Sequence, residues 1–440
     1  MINQIYFIGF GAVATSLLEI FNHEKAFLNI PFTIIEPKDV HNDLFVNRKA
    51  LHIKKAITKD NHKNLLKDID DKTLVIDLSV EVDSIMILKV CKDKGSFYIN
   101  TSVENWEEFH DDSRGSELSK NYDDFKHNTL YHRELVVDQL LKNTKKTRIV
   151  NLGMNPGMCQ EYCKLGLKEY AKLKNKHLIK GNYAKLGYEL GLKEVLIVEY
   201  DSQKTDIKPK KNCFYNTWSC LGAQSEFADY CMLSLNNNDL EALKNVAIKP
   251  TDGLHDTHIR FLPVRGMDIT KKSHTLDYDG NPFDYEGMLV PHAEIFSMSR
   301  FFQYKNEAPT IMYVYRPSDI ALNSTDRFRD NNYKPLEDYY VLQNKDIKDG
   351  GFDSIGALMK FENGDEYWAG TVCSIEDVRK FGFKYTQATT MQVSGSLWSA
   401  IIFIVNNPNY GFNEPETIPS AEIFKYAKKY MGRSFFKKLN

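Results

Sequence analysis

Ile5-Tyr6-Phe7-Ile8 runs into Gly9-Phe10-Gly11-Ala12-Val13-Ala14, and that turn opens the apolar-periodic stretch 13–21. A second apolar run, Phe32-Thr33-Ile34-Ile35, then ends in Glu36. Strand, glycine turn, helix, strand and acid, in that order, predict a dinucleotide-binding βαβ unit. Gly9 allows the tight turn, Gly11 lets the backbone approach a pyrophosphate, and Ala14 is small where helix packs on strand. The first helical turn, with Ala12 and Val13, offers free N–H groups and a positive dipole end to the phosphates. Glu36 would accept hydrogen bonds from both hydroxyls of the adenosine ribose and repel a 2′-phosphate, so NAD is expected over NADP. Read alone, the G-x-G-x-x-A pattern also fits a purely structural tight turn.

The α/β rhythm continues beyond this unit. Leu51-His52-Ile53, Leu74-Val75-Ile76-Asp77-Leu78-Ser79, Ser96-Phe97-Tyr98-Ile99-Asn100 and Thr147-Arg148-Ile149-Val150-Asn151-Leu152 read as strands, and 82–94 and 130–141 as helices. Alternation of this kind predicts an α/β, Rossmann-type, doubly wound parallel sheet. Ligands of such sheets sit beyond the carboxyl ends of the strands. Ser79, Asn100, Thr101 and Asn155 lie just past such ends, which places them beside the cofactor.

After about Tyr170 the texture changes. Strand-like runs crowd together at 194–200, 212–217, 309–315 and 339–343. Two more, 354–361 and 366–373, flank Glu362-Asn363-Gly364-Asp365, a hairpin signal. A second α+β domain with a mixed or antiparallel sheet is expected. The tail from about Thr386 reads as helical, first to 405 and again over 420–431.

The chain has 440 residues, 42% of them hydrophobic, enough for two or three domains. Its net charge of −2 gives no basis for a nucleic acid or an anionic membrane as partner. The longest apolar run, 397–405, is about half of a membrane span. The glycine turn begins at residue 9, which leaves no room for a cleaved signal. Seven cysteines show neither Cys-x-x-Cys nor zinc spacing, and Cys159 and Cys163 stand four apart as helix packing would place them. Reduced thiols, no metal and a cytoplasmic location are expected.

Acids and aromatics near turns carry the remaining chemistry. They are Thr101-Ser102-Val103-Glu104-Asn105-Trp106, Glu199-Tyr200-Asp201, Asn216-Thr217-Trp218-Ser219 with Glu226, Pro291-His292-Ala293-Glu294, and Asp353. Each also has a plainer reading. Glu199 fits a surface acid and Trp218 domain packing. Glu226 fits a solvated acid beside an N-cap at Ser225, His292 a satisfied structural histidine, and Asp353 a turn cap. No second histidine at ligand spacing accompanies His292. Residue types alone stop at an NAD-dependent enzyme with its substrate open.

Taken together, the glycine turn, the segments 100–106 and 151–157, Asn216-Thr217-Trp218 and Pro291-His292-Ala293-Glu294 resemble bacterial-type homospermidine synthase, in the saccharopine-dehydrogenase-like superfamily. The resemblance covers nearly the whole chain and includes the spacings of Trp218 to Glu226 and of His292 to Glu294. It implies aminobutyl transfer: two putrescines, or spermidine and putrescine, yield homospermidine and release ammonia or 1,3-diaminopropane, with the hydride returned from NADH. It implies catalytic roles for Trp218, Glu226, Glu199, His292 and Asn155, and substrate contacts from Glu104, Glu294 and Asp353. It further implies a domain 1–155 that binds NAD, a substrate and dimerisation domain 156–385, C-terminal helices 386–440 returning to the first domain, and a homodimer. The competing expectation is a saccharopine-dehydrogenase-like or carboxynorspermidine-type oxidoreductase. Its carboxylated substrates would call on arginines such as Arg260, Arg265, Arg300 or Arg316.

Overall fold

A computed structural model describes residues 2–106, 130–178, 181–250 and 258–440. The apolar, β-branched runs of the first third form one parallel sheet of seven strands. In spatial order these are Phe412–Asn413, Arg148–Ile149, Phe97–Asn100, Thr73–Asp77, Gln4–Ile8, Phe32–Ile35 and Ala50–Ile53. Strands buried on both faces have no polar alternation, and Thr73–Asp77 is buried at every residue. Phe7 and Ile76 pack to one side, against the helices Ala12–His23 and Ala388–Asn406. Tyr6, Val75 and Tyr98 pack to the other, against Ser84–Lys94 and Leu130–Leu141. The sheet is doubly wound, as the sequence predicts.

The second sheet is mixed. Its main path runs Ile259–Arg265, Tyr230–Ser234, Thr310–Arg316, Leu192–Asp201, Phe352–Phe361, Glu366–Ser374 and Arg433–Lys438, and the hairpin Thr270–Leu276/Pro282–Met288 joins at Thr310–Arg316. Only Thr310–Arg316 and Leu192–Asp201 pair in parallel along it. Period-two alternation sends Val195, Ile197 and Ala357 to the side of the helix Met158–Leu173, and Leu196, Val198 and Leu358 to the opposite core.

The C-terminal segment departs from its helical reading. Helices Ala388–Asn406 and Ser420–Ala427 form, but Phe412–Asn413 adds a strand to the first sheet and Arg433–Lys438 one to the second. Arg433–Lys438 reads Arg-Ser-Phe-Phe-Lys-Lys, a mostly exposed run of six residues that is too short to announce either period. Ala388–Asn406 is also longer and more apolar than the run 397–405 alone suggests, with a mean hydropathy of 1.4 over its best window. By length and composition it could cross a membrane, yet 83% of that window is buried inside the protein. Its serines and threonines allow close packing: Ser394 Oγ donates to the Val13 carbonyl (3.0 Å), and Ser16 Oγ to the Thr390 carbonyl (3.2 Å).

Candidate active site

The glycine turn is built as its pattern requires. Gly9 has φ +76°, and a Cβ there would stand 2.7 Å from Ser79 Cα, so only glycine fits between the two strand ends. A Cβ on Gly11 would meet no atom within 4 Å, so that backbone faces open space. Helix Ala12–His23 has no side chain capping its N-terminus, which leaves its first N–H groups available. Both Glu36 oxygens are fixed from behind, by Phe10 N (2.8 Å) and Lys38 N (3.0 Å). Each oxygen keeps a lone pair for a ribose hydroxyl. The neighbouring strand ends are tied by Ser79 Oγ and Tyr98 OH donating to Asp77, by Asn100 Nδ2 donating to Tyr98 OH, and by Asn151 N donating to Asn100. Burial pushes Asp77 up to about 6 against these bonds. Open space at Gly11, unblocked N–H groups and an oriented carboxylate fit a dinucleotide. Asn100 and the Phe10 ring are buried and act from within, whereas Ser79, Thr101 and Val13 line the cleft.

This cofactor face opens into a cleft of about 210 Å³ whose other walls come from the second sheet and its helices. Glu199, near the end of Leu192–Asp201, accepts from Tyr313 OH (2.5 Å) and Asn155 Nδ2 (2.7 Å). Trp218 follows the strand Cys213–Asn216, and its indole N–H donates to Tyr315 OH (3.0 Å). Gly222 lets the indole lie against the helix Cys220–Ala228, since a Cβ there would stand 3.2 Å from the ring. Ser219 caps that helix, not Ser225, and Glu226 in its last turn faces the cleft. His292 precedes the helix Ala293–Phe301, binds Glu294 through Nδ1, and stands 3.8 Å from Glu226 through Nε2. Glu104 lines the opposite wall, where Ser102 Oγ donates to it (2.7 Å).

Two expected substrate contacts stand one layer further back. Glu294 is fully buried behind His292. Asp353 is buried opposite Asp201 in the strand register and accepts from Thr389 Oγ1 (2.7 Å). Neither forms part of the cleft wall: Glu294 stands behind His292 and Asp353 behind Thr389. Residue types had not singled out Tyr313, Tyr315 or Thr389. The Tyr-x-Tyr spacing near the end of an apolar strand is the signal that could have found the first two, because period two puts both rings on one face.

Burial dominates the electrostatics. It pushes Glu226 up to about 8, although the neighbouring His292 opposes the shift. It pushes Glu199 to about 7 against the bonds from Tyr313 and Asn155. Burial would lower His292, but Glu294 and Glu226 more than offset this and hold it at about 9. All three groups therefore have folded pKa values above their unfolded ones. The stability this brings is complete below the unfolded values and is lost as pH rises through about 7 to 9. The melting temperature of the ligand-free protein is expected to fall over that range, and Glu226→Gln, which cannot ionise, to flatten the fall. An unchanged slope in the variant would mean that Glu226 is solvated.

Residues 5–151 match the saccharopine dehydrogenase NADP binding domain. The homospermidine synthase of Mesorhizobium japonicum is 25% identical over 460 aligned positions, covering 97% of this chain and 88% of that protein. That of Blastochloris viridis is 26% identical over 97% of this chain and 89% of that protein. The crystal structure of a homospermidine synthase from Legionella pneumophila, in complex with NAD, superposes with a TM-score of 0.84 at 26% identity, over 99% of this chain and 91% of that one. This chain is similar to the homospermidine synthases along nearly its whole length. The likeness to homospermidine synthase thus spans both sheets and the cleft between them, whereas the NADP-domain match lies within the first sheet and leaves out its strand Phe412–Asn413.

Gly11→Val is expected to abolish dinucleotide binding without altering the fold, because it fills only open space. Glu36→Ala is expected to relax discrimination against a 2′-phosphate. Calorimetry with NAD and NADP checks both, and tighter binding of NADP by the wild type would overturn the role given to Glu36.

Proposed function

We propose that this protein is a homospermidine synthase that joins two putrescines with release of ammonia, or takes spermidine for one of them with release of 1,3-diaminopropane. The observation that carries the reading is the cleft, in which an indole and buried carboxylates face the glycine turn and strand ends of the first sheet. Gly9 to Ala14 and Glu36, with Ser79 and Thr101, would hold NAD. NAD, when bound, supplies the hydride acceptor and later the donor, so the overall reaction carries no net redox change.

The residues divide the remaining work. Glu199 and Glu226 hold the ammonium ends of a diamine that arrives as a dication. A hydride leaves only a carbon that bears a neutral amine, so a base must first take a proton. Glu226 at about 8 and His292 at about 9 stand close enough to an ammonium of about 10 for that transfer. Glu294 orients the imidazole and balances its charge. The Trp218 face attracts the flat, cationic iminium by about 0.5–2 kcal/mol, and Tyr315 fixes the ring by accepting its N–H. Asn155 holds Glu199 in position. Residues 1–155 are assigned to the cofactor, 156–385 to substrate binding and dimerisation, and 386–440 to closing both. The working form is a cytoplasmic homodimer.

Incubation with putrescine and NAD, followed by mass spectrometry and absorbance at the NADH band, tests the reading. Homospermidine should accumulate over many turnovers per NAD without NADH build-up. Stoichiometric NADH without homospermidine would favour the second reading, an oxidoreductase acting on a carboxylated amine. That reading has one observation behind it: Arg133 lines the cleft, and its Nε and Nη1 have no partner among the described residues. Arg260, Arg265, Arg300 and Arg316 lie outside the cleft wall; Arg300 pairs with Glu414 and Asp138, and Arg316 with Asp319.

A further inference from the structure

The segment 384–386, just before the long helix Ala388–Asn406, binds three parts of the molecule at once. Its backbone closes around the carboxylate of Glu19, which is 6% exposed on the cofactor helix Ala12–His23. Lys384 N (2.6 Å), Tyr385 N (3.3 Å), Thr386 N (3.0 Å) and Thr386 Oγ1 (2.6 Å) all donate to it. The segment is anchored to the second sheet's side by Asn344 N donating to the Tyr385 carbonyl (3.2 Å) and by Gln387 Nε2 donating to the Thr217 carbonyl. Its third attachment is to the loop 37–45, which follows Glu36. The Tyr385 ring stacks on His41 at 3.8 Å and 19°. Tyr385 OH (2.9 Å) and Lys384 Nζ (2.9 Å) both reach Asp43.

That loop is held at two further points. Lys38 Nζ lies 3.9 Å above the ring of Tyr339, from the second domain, and Phe45 packs on Phe10 of the glycine turn at 5.5 Å. Lys38 N also donates to Glu36 itself. The position of the ribose-binding carboxylate therefore depends on a loop that residues from far along the chain hold down.

We propose that the segment 384–386 is a latch for the cofactor. By gripping His41 and Asp43 it keeps the loop after Glu36 in its binding position and slows the exchange of NAD. The inference rests on the proposed function for its purpose. A hydride taken in the first half of the reaction must be returned in the second, and a cofactor that exchanged in between would leave the product unreduced. His41, Asp43 and Tyr385 are positioning residues, since none of them lines the cleft.

The test measures the rate at which bound NADH leaves the full-length protein, by stopped-flow fluorescence after mixing with excess NAD. Tyr385→Ala is expected to release it about tenfold faster, the equivalent of about 1.4 kcal/mol, and Tyr385→Phe, which keeps the stack, by less. His41→Ala, which removes the stack but leaves the Tyr385–Asp43 bond, should show part of the effect of Tyr385→Ala, and the double variant should add little to Tyr385→Ala, because the stack is already lost in it. Should Tyr385→Ala fail to fold, His41→Ala and Asp43→Asn, which change only the loop's surface, decide the matter. Release within twofold of wild type in these variants would overturn the latch. Absence of homospermidine from the wild type would overturn the proposed function, while the release rates would still decide the latch.

Discussion

Replacing Glu226 by Gln is expected to weaken putrescine binding by roughly tenfold to a hundredfold, since losing a charged partner from a buried amine contact costs about 1.5–3 kcal/mol. Turnover should fall as well, because the variant can no longer take a proton from the amine. NAD affinity should hardly change, as Glu226 lies on the helix Cys220–Ala228 of the second domain. Glu199→Gln should show the same loss. Glu199 accepts from both Tyr313 OH and Asn155 Nδ2 through one oxygen, and the carbonyl oxygen of a Gln can take that place and keep both bonds while the charge is removed. The melting temperature of both variants should therefore hold. Putrescine dependence, NAD calorimetry and thermal melting on both variants separate these effects. Unchanged putrescine kinetics in both would remove the diamine from the reading.

The second large effect is expected from Gly157→Ala. Gly157 has φ +136°, a region closed to residues with a Cβ, and a Cβ there would stand 2.0 Å from the Gly153 carbonyl oxygen. That oxygen cannot move aside. It accepts from Met158 N (3.1 Å), and Gly153 N donates to the Pro156 carbonyl (2.7 Å), which closes the loop on itself. The loop carries Asn155, so the variant should lose the Asn155–Glu199 bond and about 3 kcal/mol or more of stability. A large drop in melting temperature, with loss of activity in whatever remains folded, is the expected result. Wild-type melting and activity would mean that the loop does not have this conformation.

Much of the first sheet could be read from residues alone, because parallel strands buried on both faces leave unbroken apolar runs and a glycine turn has few other uses. The second sheet was harder. Pro282–Met288 and Thr270–Leu276 interleave charged and apolar residues, and the Asp279-Gly280 pair in the turn between them, with Gly280 at φ +83°, is the signal that could have shown their pairing. Arg433–Lys438 is a strand only because Glu366–Ser374 offers it an edge. At the candidate site, Trp218, Glu226 and His292 were visible as residue types near turns. Glu294 and Asp353 looked equivalent to them in sequence, and only packing shows that they stand behind the wall. Tyr313 and Tyr315 escaped notice because, in sequence, an aromatic in an apolar strand cannot be told from ordinary core.

The two late strands also bear on how the chain comes into being. Phe412–Asn413 and Arg433–Lys438 are each translated after every strand they pair with. While the ribosome is still at work, Arg148–Ile149 and Glu366–Ser374 present open edges of unpaired backbone, the kind of surface on which nascent chains adhere to one another. Each sheet thus waits on residues beyond position 410 for its outermost strand on that side, so Arg148–Ile149 and Glu366–Ser374 stay unpaired along one side until the end of synthesis. A chaperone that shields strand edges at that stage would raise its yield more than one that acts on the early glycine turn.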